Sequence, residues 1–122
     1  MIEGVVNAAH EAVVTLPLRG PEGQTREVDV VIDTGFTGFL TLPPALVTEL
    51  ELPFLSRGLA VLANDSEALF DIHGATVIWE GAPRSIEANA VGSTPLAGMS
   101  LLDGHDLHIE VEEGGRVVIE AR

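Results

Sequence analysis

The chain contains no cysteine and no tyrosine, and only six of its 122 residues are basic. Without cysteine it forms no disulfide, no thiolate zinc site and no cysteine nucleophile, and a disulfide-stapled secreted scaffold is not the expectation. Six bases against 19 acids leave a formal net charge of −13. A field of that sign repels phosphate backbones and anionic lipid surfaces, so neither nucleic acid nor membrane is an expected partner. Acid runs such as "EVEE" read as solvated faces. Long apolar runs are also missing: none approaches the ~20 residues that a membrane-crossing helix requires. The N-terminal "MIEGVVNAAHEAVV" has no basic region ahead of an apolar one and does not read as a signal peptide. The expectation is a soluble, cytoplasmic chain with no cofactor. Aromatics are scarce, but aliphatic residues are too frequent for disorder.

What is present is Val, Ile and Leu in short runs, punctuated by Gly and Pro. This pattern predicts mostly β structure. Strands are expected over 4–10, 12–18, 26–33, 38–41, 58–63, 67–80, 85–91, 107–111 and 117–120. Hairpin turns are expected at "RGPEGQ" (Arg19 to Gln24) and "EEGGR" (Glu112 to Arg116), where glycine supplies positive φ. Two short helices fit "PPALVTEL" (Pro43 to Leu50) and "AGMSLLDG" (Ala97 to Gly104). Residues 1–122 therefore read as one all-β domain, a small closed β-barrel of bent strands with one or two short helices.

One stretch stands apart, "VDVVIDTGFTGFLTLP" from Val28 to Pro43. Strand alternation puts Val28, Val30 and Ile32 on one face and Asp29, Val31 and Asp33 on the other. Asp33 sits where that strand ends, followed at once by Thr34 and Gly35. Taken alone, Asp-Thr-Gly also fits a plain turn on a monomeric β module, because Asp and Gly dominate turns. A second element, "PLAGMSLLDG" (Pro95 to Gly104), follows later in the chain.

With these two elements, and with "GLAVLANDSEALFDIHG" (Gly58 to Gly74) between them, the sequence resembles the retropepsin-like aspartic proteases, the family of retroviral proteases and their bacterial relatives. The resemblance runs from about Ala12 to Ile119. It implies the barrel fold and hydrolysis of peptide bonds. Carboxylate-catalysed hydrolysis needs two acids sharing one proton, because like charges about 3 Å apart cannot both ionise. The chain has a single Asp-Thr-Gly, so the economical arrangement is a two-fold homodimer with Asp33 of each copy at the axis, as the resemblance also implies.

Carried over by position, Asp33 would hold the lytic water, Thr34 would brace the two loops across the axis, and Gly35 would bring backbone close to the carboxylate and the substrate. Leu96, Ala97 and Gly98 would pack beneath the loop. Leu62, Ala63, Asn64, Asp65 and Ser66 would form the tip of a hairpin flap closing over an extended peptide. The chain departs from the family at three points. The flap tip is poor in glycine, a bulky Phe36 follows the triplet, and Met99 stands where viral members often carry arginine. A C-terminal hairpin from "DLHIEVEEGGRVVIEAR" is expected to replace the terminal-strand sheet through which viral subunits dimerise. A dimer that keeps the fold but binds peptides without cleaving them is the alternative function.

Other groupings point elsewhere less well. His105 and His108, with His73 distant, lack a third metal ligand and a settled geometry. "GMSLL" lacks the second glycine of a nucleophile elbow. Trp79, in alternation with Val77, reads as a core or interface anchor.

Overall fold

The computed structural model describes residues 1–61 and 64–122. Along β2 (Ala12–Arg19), Ala12, Val14, Leu16 and Leu18 are buried while the residues between them turn outward. β3 (Thr25–Ile32) buries Val28 and Val30 in the same rhythm. This period-two burial gives each strand one apolar face, which is stable only when packed against another. The remaining strands are β1 (Ile2–Val6), β4 (Leu40–Leu42), β5 (Phe54–Val61), β6 (Glu67–Trp79), β7 (Ala82–Ala90), β8 (Leu96–Ala97), β9 (His105–Ile109) and β10 (Arg116–Ala121). Among the described residues there are also two short helices, α1 (Pro44–Glu49) and α2 (Met99–Leu102). The fold is mostly β, as the sequence predicts.

Strand order in the sheet is β5-β6-β7-β4-β8-β3-β2-β1-β10-β9, and β6 pairs a second time with β2 through Leu18–Val77 and Arg19–Thr76. Strands β2, β3, β8, β4, β7 and β6 thus form a ring of pairings around a core that includes Leu16, Leu18, Val30, Leu40, Leu42, Val77 and Leu101. Trp79 belongs to this core. β2 pairs with β1 at residues 12–14 and with β6 at 18 and 19. Pro17 falls in the gap between these two ladders, where its missing N–H leaves no partner unpaired.

The C-terminal hairpin folds onto its own chain. β10 lies between β1 and β9, and Val117, Val118 and Ile119 are buried there. Both hairpin turns form where expected, with Gly23 and Gly114 at φ of 85° and 81°.

Several boundaries differ from the sequence expectation. β1 stops at Val6 because the Asn7 side chain takes over: its Oδ1 accepts the N–H groups of Ala9 and Glu11 and folds residues 7–11 into a turn, with His10 at φ 60°. β4 starts at Leu40 because residues 36–39 spend their carbonyls on another segment. β5 begins four residues early, at Phe54, recruited by pairing with β6. The segment expected as helix from Ala97 divides instead into strand β8 and a single helical turn, α2.

Candidate active site

β3 delivers Asp33 to the end of the sheet. The Asp33 N–H donates to the Ala97 carbonyl at 2.9 Å, and the Val31 N–H donates to the Pro95 carbonyl at 2.9 Å. β8 therefore continues to hold the main chain past the last residue of β3. From there the chain turns, with the Phe36 N–H donating to the Asp33 carbonyl at 3.1 Å. The Gly35 N–H donates to Asp33 Oδ1 at 2.9 Å, which fixes the direction of the carboxylate. A Cβ at Gly35 would stand 3.3 Å from that oxygen, tighter than an ordinary contact. Thr34 lies exposed at the tip of the turn.

Four consecutive carbonyls beyond the turn are taken by residues 98–100. Met99 N–H donates to Phe36 at 2.8 Å, Ser100 Oγ to Thr37, Ser100 N–H to Gly38 at 3.1 Å and Gly98 N–H to Phe39 at 2.9 Å. β8 itself runs between the two strands that flank the turn, parallel to β3 and antiparallel to β4. The Asp33 turn is thus clamped from beneath along its whole length. Leu96, Ala97 and Gly98 occupy the supporting position expected of them. Phe36 fits because glycine stands at both 38 and 98. A Cβ at Gly38 would come within 2.6 Å of the Phe36 ring, and one at Gly98 within 2.5 Å of it and 2.3 Å of the Gly38 carbonyl.

Among the described residues, no second carboxylate is hydrogen-bonded to Asp33. The nearest acid on the same face of β3, Asp29, is four residues back, about 13 Å along an extended strand. Its Oδ1 accepts the Thr15 hydroxyl at 2.6 Å instead.

The hairpin of β5 and β6 rises as a separate ladder whose outermost described pair is Val61 with Glu67. Leu59 and Leu69 face each other on one side of it, and both are exposed, as is Val61. Of the five residues assigned to the flap tip, Leu62 and Ala63 lie outside the described residues. Asn64, Asp65 and Ser66 form the turn back into β6: the Ser66 N–H donates to Asn64 Oδ1 at 3.1 Å, and Asp65 stands at φ 62°. Asn and Asp thus supply the turn geometry where glycine is absent.

Two contributors escape a reading of the sequence. Ser100 reads as a helix residue, yet its hydroxyl bridges to a loop 63 positions earlier in the chain. Arg84 of β7 donates to the Leu101 carbonyl at 3.1 Å, and its guanidinium lies 5.7 Å from the Phe39 ring centre and 5.9 Å from that of Trp79. The available signal is alternation, since Arg84 shares a strand face with buried Ile86 and Ala88. The histidines are placed apart: Trp79 Nε1–H donates to His105 Nε2 at 3.0 Å, while His73 Nδ1 meets the Leu52 carbonyl at 2.8 Å.

No family model matches the chain, and no curated protein sequence does. Among solved structures, a retropepsin-like aspartic protease from Rickettsia conorii matches with a TM-score of 0.60 at 15% identity, over 99% of this chain and 90% of that one. The two share a fold at almost full length.

Proposed function

We propose that this chain is an aspartic endopeptidase that works as a homodimer, with Asp33 of each copy forming the catalytic pair. The observation that carries this reading is the Asp33 turn. A lone carboxylate, oriented by the Gly35 N–H and clamped through residues 97–100, stands at the end of β3 in a chain with a retropepsin-like fold. One carboxylate cannot be both base and acid in the same step, and among the described residues no second one is hydrogen-bonded to it. Two copies related by a two-fold axis supply both.

In the pair, one carboxylate is ionised and the other protonated. The ionised member takes a proton from a water held between them, and that water's oxygen attacks the peptide carbonyl carbon. The protonated member gives its proton to the carbonyl oxygen, leaving a neutral gem-diol intermediate. Thr34, at the exposed tip of each turn, faces the axis and braces one loop against the other. The β5–β6 hairpin closes over an extended peptide, offering main-chain hydrogen bonds and the apolar side chains Leu59, Val61 and Leu69.

Asp33→Asn replaces the carboxylate with a neutral isostere and is expected to lower peptide hydrolysis by roughly 10²-fold or more. The variant should remain folded and dimeric. The measurement is initial rates on a fluorogenic peptide library, with sedimentation velocity on the same samples. Undiminished turnover by the variant overturns the mechanism. A wild-type dimer that binds the peptides and cleaves none of them makes the protein a peptide-binding scaffold instead.

A further inference from the structure

We infer that the site takes cationic peptides, extended chains with an apolar side chain and, two residues away, a lysine or arginine whose charge is read by Glu67. This substrate class rests on the protease reading above, in which the β5–β6 hairpin closes over the peptide.

The face of the hairpin that meets a peptide follows from β6. Ala75, Val77 and Trp79 are buried in the core, and the strand stays in register with β7 from Asp71 to Trp79 and with β5 from Glu67 to Ile72. Period two then puts Asp71, Leu69 and Glu67 on the core side of the ribbon. Their partners across the ladder are Arg57, Leu59 and Val61. Past the end of the core this side is uncovered: Leu59, Val61 and Leu69 are 56%, 68% and 69% exposed. The outer face closes on itself, with Ala68, Phe70 and Ile72 half-buried and the Phe70 ring laid against Gly58, where a Cβ would come within 2.4 Å of it. The open apolar side chains of the hairpin ladder thus lie on the side turned toward a ligand held between hairpin and barrel.

Charge makes that face selective. Toward the base of the hairpin, Asp71 is paired with Arg57 at 3.4 Å. Toward the tip, Glu67 stands opposite Val61 and forms no ion pair among the described residues. The six bases of the chain are all arginines. Arg26, Arg57, Arg116 and Arg122 are each paired with another acid, and Arg84 bonds the Leu101 carbonyl. Arg19 stands beside Thr76, nine residues or about 30 Å along β6 from Glu67. A bound peptide can supply the cation that the chain does not. Leu69 and Glu67 are about 7 Å apart on one face, the spacing of alternate side chains in an extended peptide. An apolar side chain set on Leu59 and Leu69 therefore brings the residue two positions on to Glu67. There a lysine or arginine forms an ion pair under the hairpin, and a glutamate meets like charge.

The test uses peptides of otherwise identical sequence with Lys, Gln or Glu two residues from a leucine, in both orders along the chain. For the wild type, kcat/KM should favour Lys over Glu by at least ~10-fold, with Gln between them. Glu67→Gln should shrink that ratio by about 5-fold or more, the worth of one ion pair, and Glu67→Lys should reverse it. Glu22→Gln makes the same charge change at an exposed residue of the β2–β3 turn and should leave the ratio as it is. Ratios taken within one variant cancel any loss of overall activity. Equal cleavage of the three peptides, or a ratio that survives Glu67→Gln, overturns this substrate class while hydrolysis by the Asp33 pair stands. If the wild type cleaves none of them, the protease reading falls, and peptide Kd values from fluorescence anisotropy decide instead. Tighter binding of the Lys peptide, lost in Glu67→Gln, upholds the charge selection; equal binding or none overturns it.

Discussion

At the scale of single residues, the turn that carries Asp33 depends as much on what is missing at positions 38 and 98 as on the acid itself. The two glycines make room for Phe36, but not in the same way. At Gly38 the obstacle to a side chain is the Phe36 ring alone, whereas at Gly98 it is also the Gly38 carbonyl. Gly38→Ala should therefore destabilise by about 1–3 kcal/mol, the usual range for overpacking. Phe36→Ala in the same chain should recover much of that loss. Gly98→Ala should cost a similar amount or more, and Phe36→Ala should not rescue it, because backbone cannot be removed. Urea midpoints for the single and double variants decide this, since contacting residues reveal themselves as non-additive. Equal rescue at both positions contradicts the packing described.

At the scale of elements, β10 has neighbours on both sides and buries three consecutive residues. Its removal takes away a central strand, so deletion of residues 112–122 should abolish the cooperative unfolding transition rather than merely separate two subunits. A truncated chain that still melts cooperatively in calorimetry is the contrary result. The legibility of the elements follows from where their signals reside. β2 and β3 carry their own pattern, because alternate residues meet core and solvent. β5 has no such pattern, since none of its residues is buried, and only its partner reveals where it starts. β8, two residues long, exists because β3 and β4 pair with it from either side. The end of β1 is set by one asparagine side chain in a stretch without glycine or proline, where sequence offers no conventional stop. The same division runs through the candidate site. Asp33 is visible in sequence because strand periodicity runs straight into it. The clamp formed by residues 98–100 is not, because it joins segments about half the chain apart.

At the scale of the whole molecule, association brings together two bodies of net charge −13. Their long-range repulsion is screened over about 10 Å at 0.1 M salt and over about 30 Å at 0.01 M. Raising salt from the lower to the higher value should therefore tighten the dimer, and the Kd from sedimentation should fall. Dissociation promoted by salt contradicts the prediction and points to an interface held mainly by ion pairs.

β6 has a consequence of its own, because it belongs to two regimes at once. Its first residues, Glu67–Asp71, pair into the exposed hairpin, with Leu69 at 69% exposure, while Val77 near the other end is fully enclosed. Gly74 stands between, tied to Pro53 by a 2.9 Å hydrogen bond. Opening fluctuations should grow along this one continuous ribbon instead of stopping at its boundary with a neighbour. In deuterium uptake, amides of Glu67–Asp71 should exchange far faster than those of Ala75–Trp79, with the step near Gly74. If the hairpin closes as proposed, that residue is the fulcrum on which it turns.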